Sequence, residues 1–158
     1  MSKPASIPYE TTLHVRDHCL CLHAQRAARA LARRFDQALR PVGLTNGQFS
    51  LLMALNRPEP APMAGVASLL AMDRTTLTAA LKPLERRGLV ASKPVEGDRR
   101  SRTLSLTPQG LALLAQAVPI WRETHASVDA LLEPDHDGAG LRGALRAVSQ
   151  GTNLRAPS

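Results

Sequence analysis

Eight basic side chains crowd into the thirty residues from Asp73 to Arg102: Arg74, Lys82, Arg86, Arg87, Lys93, Arg99, Arg100 and Arg102. Four acids accompany them, Asp73, Glu85, Glu96 and Asp98, so eight against four leaves +4 of the chain's net +7 in this segment. Cations at that density neutralise phosphates and release the counterions condensed on a nucleic acid, which gives affinity that falls steeply with salt. Arg74, Thr75, Thr76 and Thr78 fall on the first turn and a half of an expected helix. When such a helix end enters a major groove, arginine forks onto guanine, and threonine bonds a base or phosphate or touches a thymine methyl. The competing use of the threonines is capping and backbone bonding. Lys82, farther along, suits a phosphate or the open surface. Gly97-Asp98-Arg99-Arg100 reads as the tip of a thin hairpin, of a shape that enters a minor groove where a narrow A·T-rich stretch concentrates negative potential. Asp98 would repel phosphate; pairing with a neighbouring arginine gives it a use in shaping the tip.

A second constellation lies near the N-terminus. His14, His18 and Cys21 stand at i, i+4 and i+7, a spacing that suits a metal, but no fourth ligand accompanies them and no metal is expected. Cys19 and Cys21, the only cysteines, point to roughly opposite sides if helical, so a mutual disulfide is not expected. Nothing resembles a Ser-His-Asp arrangement, a phosphate loop or a carboxylate pair, so neither an enzyme nor a cofactor is expected.

These groups need a scaffold of packed helices. The chain has 158 residues, 44% hydrophobic and only 3% aromatic, which implies one domain with a core of Leu, Ala and Val. A pI near 10.7 points to nucleic acid first and an anionic membrane surface second. A single Trp, Trp121, and two Phe argue against a membrane-surface helix. No run approaches the roughly 20 apolar residues of a membrane span. The opening MSKPASIPYETT lacks the apolar core of a signal peptide, so a cytoplasmic location is expected.

Taken in order, residues 1 to about 10 read as a loose arm and Thr12 to Arg40 as one long helix. Cys21, Ala24, Ala28, Leu31, Phe35 and Ala38 make an apolar seam along it, with Arg26, Arg29, Arg33 and Arg40 on another face. Pro41 and Gly43 end it. Thr45 with Gln48 makes a capping box for a second helix that buries Phe49, Leu51, Leu52 and Leu55. The proline-rich loop from Arg57 to Pro62 leads through a short strand near Met63 into a short helix with Val66, Leu69 and Leu70 inward. Ala71-Met72 is the turn and Asp73 the N-cap of the helix from Arg74 to about Arg87, whose stripe is Leu77, Leu81 and Leu84. Pro83 should bend it. Strands are expected at Leu89 to Pro94 and Arg102 to Leu106, with 95–101 as the tip. Thr107-Pro108 starts a helix to about Leu132, kinked at Pro119. A joint over Glu133 to Gly140 precedes a last short helix marked by Leu141, Leu145 and Val148. The fold class is therefore mainly α with a small β-wing, a winged helix-turn-helix.

DRTTLTAALKPLERRGLV followed by EGDRRSRTLSLTPQG resembles the MarR family of winged-helix transcriptional regulators. Asp98, Arg100, Leu106, Thr107 and Gly110 match its wing pattern, and PVGLTNGQFSLLMAL is similar to its entry into the second helix. Ala71 stands where the family often has Gly. The resemblance implies a homodimer with intertwined first and last helices (about 12–40 and 107–150) and a winged helix-turn-helix (about 45–106) reading each half of a pseudo-palindromic operator. Pairing is also sensible physically: two modules roughly 34 Å apart gain by effective concentration and match a two-fold site. It further implies a small-molecule crevice, to which His14, His18, Cys21 and Arg26 are candidate contributors, suited to a small anionic aromatic ligand. Cys21 aligns with the reactive cysteine of peroxide-sensing members, though Gln25 and Phe35 stand where those members have tyrosines. A thiol on the apolar seam is otherwise an inert core residue. His23 and His125 are expected at the surface or a pocket rim. The expected function is that of a DNA-binding regulator acting on double-stranded DNA, a repressor released by ligand. The alternatives are redox sensing through Cys21 and non-specific DNA coating.

Overall fold

The computed structural model describes residues 6–151. It divides into two compact units, 1–34 and 35–158. In the first, α1 (Tyr9–His18) is followed by most of α2 (Leu20–Leu39). The single long helix expected there is interrupted at Cys19, whose backbone is extended at φ −74° and ψ 105°. No proline or glycine causes this. The polar groups freed at the break are taken up locally. The Leu22 N–H donates to the Cys19 thiol at 3.4 Å, so that sulfur serves as a weak N-cap for α2. The His18 ring lies 2.8 Å from the His14 carbonyl and the His23 ring 2.9 Å from the Cys19 carbonyl. Helix also begins earlier than expected, at Tyr9 within the supposed arm.

The second unit carries the winged part. A short 3-10 turn (Arg40–Val42) leads into α3 (Asn46–Leu55), and the Thr45/Gln48 capping box is formed in both directions. Then come β1 (Ala61–Pro62), α4 (Met63–Leu69), α5 (Arg74–Arg86), β2 (Val90–Val95), β3 (Asp98–Leu106), α6 (Pro108–Asp129) and α7 (Gly138–Gly151). The three strands are antiparallel in the order β1-β3-β2, with Ala61 opposite Leu104 and Val90 opposite Leu106. Leu39, Leu51, Leu52, Val66, Leu77, Leu84, Leu89 and Leu104 are fully buried beneath them. The core is aliphatic because the chain has few rings to offer, and no polar side chain is buried among the described residues. Leu69, expected inward, is 70% exposed. In so short a helix only Val66 is fully buried, with Leu70 half-buried against the core beside it.

Three tight turns set the angles between helices, and all use the same device. At Gly43, Ala71 and Gly88 the backbone is left-handed, with φ of 67°, 52° and 68°. Each N–H, and that of the next residue, folds back on the preceding helix: Gly43 on Arg40 and Leu44 on Leu39, Ala71 on Ser68 and Met72 on Ala67, Gly88 on Glu85 and Leu89 on Leu84. This is the Schellman arrangement, in which glycine is usual because a Cβ is strained there. Ala71 accepts that strain. Pro83 and Pro119 each remove a donor, yet α5 and α6 continue through them, and the Arg87 N–H still reaches the Pro83 carbonyl at 3.2 Å. The bond lost to one missing donor is outweighed by the buried Leu77, Leu81 and Leu84 around Pro83, and by Leu114 and Ala117 before Pro119 with Ile120 and Trp121 packed after it.

At the foot of the sheet, Gly110 lies against the Leu89 backbone so closely that a Cβ there would come within 2.1 Å of the Leu89 carbonyl oxygen. Gly110→Ala should therefore cost about 1–3 kcal/mol of stability or more, because backbone, not a movable side chain, occupies the space. Ala71→Gly should gain about 0.5–1 kcal/mol by relieving the left-handed alanine. Chemical denaturation of the two variants checks both signs.

Candidate nucleic-acid interface

α5 begins at a well-made cap. The Asp73 carboxylate accepts the Thr76 N–H at 2.8 Å and the Thr76 hydroxyl at 2.7 Å. These bonds, the backbone one first, hold the Asp73 carboxyl below the usual carboxylate range. Thr78 donates its hydroxyl to the Arg74 carbonyl at 2.7 Å. The protons of Thr76 and Thr78 are thus committed inside the helix, which leaves each side chain its oxygen lone pairs and its Cβ methyl. Arg74, Thr75, Thr76, Thr78 and Lys82 are all exposed, while Leu77, Leu81 and Leu84 are buried. The helix ends on Gly88, and Arg87 reaches across to donate to the Gly43 carbonyl at 2.8 Å, which ties it to the turn before α3.

The wing differs from the expected hairpin. The strands run farther, and the turn is only Glu96-Gly97, with Gly97 at φ 80°. Asp98, Arg99 and Arg100 therefore open the return strand instead of forming the tip. Pro94 is tolerated within the pairing because it lies on β2, an edge strand, where its missing donor costs little. Register is regular from Val90–Leu106 to Pro94–Arg102, then jumps to Val95–Asp98, so residues 99–101 of β3 have no opposite number. Asp98 accepts the Ser101 hydroxyl at 2.6 Å, closing this irregular segment on itself. The side chains of Arg99 and Arg100 lie outside the described residues.

Between α5 and the wing lie two adjoining concavities. One is lined by Met63, Arg74, Thr78, Lys82, Ser92 and Arg102, with Glu85 at its edge. The other is floored by Pro62, Met63, Ala64, Ala67 and Val95 and again bordered by Arg74 and Arg102. The fold thus brings Arg74, Thr78 and Lys82, one row of α5, to face the wing. Ser92 and Met63 are new to the site, and Arg102 and Glu85 enter the sequence reading only as members of the charged segment. Strand alternation was the available signal for Arg102, since it shares its parity with the inward Leu104.

The candidates of the first unit do not form one face. His14 and His18 stack on α1, with ring centres 4.1 Å apart. Cys21 and Arg26 belong to α2, beyond the break at Cys19, which removes the continuous i, i+4, i+7 row. No cluster of metal-binding side chains occurs among the described residues. Cys21 is exposed, not buried in a seam, and accepts a hydrogen bond from Gln25 Nε2 at 3.1 Å. The reason is visible in its neighbours, because Ala24, Ala28 and Leu31 are exposed as well. His23 is exposed, while His125 is half-buried between Trp121 and Phe35.

A capped helix presenting Arg and Thr beside a basic antiparallel wing defines a winged-helix DNA-binding protein. Comparison with known proteins narrows the class. The MarR family model matches residues 42–101. The organic hydroperoxide resistance transcriptional regulator of Bacillus subtilis is 32% identical over 101 residues, 64% of this chain and 69% of the relative. The crystal structure of the M. tuberculosis transcriptional regulator MosR in complex with DNA superposes with a TM-score of 0.77 at 37% identity, over 85% of this chain and 96% of that one. The transcriptional repressor CouR bound to p-coumaroyl-CoA superposes with a TM-score of 0.74 at 26% identity, over 86% and 95%. The chain belongs to the MarR family of DNA-binding winged-helix transcriptional regulators; its relatives regulate transcription and are not enzymes. No helix among the described residues is long and apolar enough to cross a membrane.

The cap gives a test of sign. With its carboxyl held low in the folded state, Asp73 contributes stability that is present above the ordinary carboxylate range and is lost as pH falls through the folded value. Asp73→Asn caps without titrating. The melting advantage of the parent over this variant should be present at neutral pH and shrink on acidification below about pH 4. A pH-independent difference would remove the carboxylate from this role.

Proposed function

We propose that the chain is a cytoplasmic homodimeric repressor that reads a pseudo-palindromic operator and is released by a small anionic ligand. The observation that carries the DNA part is the facing of Arg74, Thr78 and Lys82 by the wing across one concave surface. Arg74, Thr75, Thr76 and Thr78 enter the major groove. Lys82 meets a phosphate, Arg99 and Arg100 reach the minor groove, and Asp98, bonded to Ser101, shapes the wing. Because Thr76 and Thr78 spend their protons internally, they read by methyl contact and as acceptors, which leaves Arg74 as the principal base-bonding donor. Resemblance to the DNA-bound MosR supports this.

Exposed apolar rows support dimerisation. Leu141, Leu145 and Val148 of α7 are 45%, 50% and 55% exposed, at spacings that place them on one face. Leu31 on α2 is 41% exposed. Ligand release is supported by the repressor CouR, which was crystallised with p-coumaroyl-CoA. His14, His18, Cys21 and Arg26 remain the proposed contributors to a ligand site. The exposure of Cys21 and its bond from Gln25 keep redox control as a second reading. There a peroxide would oxidise the thiolate to a sulfenic acid and leave as the alcohol.

Footprinting on DNA upstream of the chain's own coding sequence tests the main reading. A protected two-fold site is expected; equal affinity for every fragment would favour an architectural coat instead. Arg74→Ala should change sequence preference, whereas Arg100→Ala should weaken binding broadly and lower the salt slope by about 0.9 per wing. Leu145→Asp should give a folded monomer in sedimentation. For the redox reading, Cys21→Ser should abolish any peroxide response, and a persisting response would exclude that residue.

A further inference from the structure

We propose that Arg102 seats a DNA backbone phosphate, with Ser92 as the residue that positions it. This deepens the DNA-reading face proposed above and rests on it. Arg102 lies on β3 opposite Pro94, two residues from Leu104. Leu104 is fully buried, so strand alternation puts Arg102 on the same side, at the rim, toward α4 and α5. It borders both concavities between helix and wing, as Arg74 does. It is therefore not part of the projecting hairpin end, where the family pattern places its arginine.

Its geometry is built. Arg102 Nε donates to the Ser92 hydroxyl at 2.5 Å, and Nη2 donates to the Ser92 carbonyl at 3.2 Å. The guanidinium has five N–H donors, and these two bonds leave three, two on Nη1 and one on Nη2, of which one from each nitrogen run parallel. Most surface arginines must be ordered on binding, which opposes association. Here the neighbouring strand has already ordered the fork. The field around it favours an anion: Arg74, Lys82 and Arg102 against Glu85 leave two positive charges on one concave surface. A planar fork with free parallel protons suits a phosphate better than a point charge does. Arg102 stands on the sheet beside α5, across this concave surface from Arg74. The sugar-phosphate ridge beside an occupied major groove runs over that position.

The test uses the full chain on its upstream fragment and on an unrelated fragment, with binding measured across a salt series. Arg102→Ala should lower affinity on both fragments alike, and the slope of log affinity against log salt should fall by about 0.9 per protomer. Ser92→Ala keeps every charge, so affinity should fall severalfold with the slope unchanged. Arg102→Gln removes the charge while keeping a donor for Ser92, and should reproduce the slope loss if the alanine variant does not fold. An unchanged slope in the folded charge-removing variants would overturn the proposal. So would a loss confined to one sequence, which marks a base contact, or a Ser92→Ala protein that binds as the parent does. Arg74→Ala in the same assay separates the two levels. If it weakens binding while Arg102→Ala does not, only the phosphate seat fails; if neither matters, the reading of the whole face fails.

Discussion

Everything on the proposed DNA-facing side depends on one close approach, that of Gly110 to the Leu89 backbone. Leu89 is where α5 has just ended and β2 is about to begin. Its carbonyl accepts the Thr107 N–H at 3.1 Å, and the Thr107 hydroxyl donates to the Gly88 carbonyl at 2.6 Å. The same hydroxyl oxygen accepts the Gly110 N–H at 3.0 Å, which starts α6. One threonine and one glycine thus fasten the end of the recognition helix, both wing strands and the following helix at a single point. Without a side chain at 110 the two backbones can meet. The wing is consequently held at its root, and its angle to α5 follows from backbone bonds and not from the charged surface that uses it.

This root explains how a basic surface can be stable. Like charges on α5 and the wing repel one another, and exposed ion pairs would return little. The surface is carried instead by an aliphatic layer. Leu77, Leu81 and Leu84 under α5 and Leu89, Val90 and Leu104 under the wing are all buried. Apolar burial is indifferent to the charge above it. The cationic groups are therefore free to be placed for phosphates, and salt that weakens DNA binding should leave the fold alone.

Local chemistry decided how much of this was legible in the sequence. Thr45 with Gln48, Asp73, Gly43, Gly88 and Thr107-Pro108 each act within a few residues, and each formed the boundary that its type implies. The leucine stripes of α3 and α5 were equally plain. The break at Cys19 was hidden because its caps are a thiol and two histidine rings, which rarely signal a helix end. The hairpin reads too short because charged residues look like a tip, yet Val95 pairs with Asp98 around only Glu96 and Gly97. The bond between Ser92 and Arg102 spans ten residues and leaves no local mark. Exposure of Cys21, Leu31 and the α7 leucines shows the limit of periodicity, which marks an apolar face without saying what covers it.

The turn at Ala71 shows why a departure from the usual residue is tolerated. A left-handed alanine opposes folding locally, yet five groups around it leave the backbone no choice. The Ala71 and Met72 N–H groups bond back to Ser68 and Ala67. Two residues on, Asp73 caps α5 through Thr76, and Val66 and Leu77 anchor the two helices in the core on either side. The end of one helix and the start of the next are each fixed independently, so the residue between them must adopt whatever dihedral joins them. Strain of this size persists where the surroundings over-determine it. The surroundings in question are the ones that hold Arg74 and its row at the surface, so the strain is a consequence of the geometry of the helix proposed to read DNA.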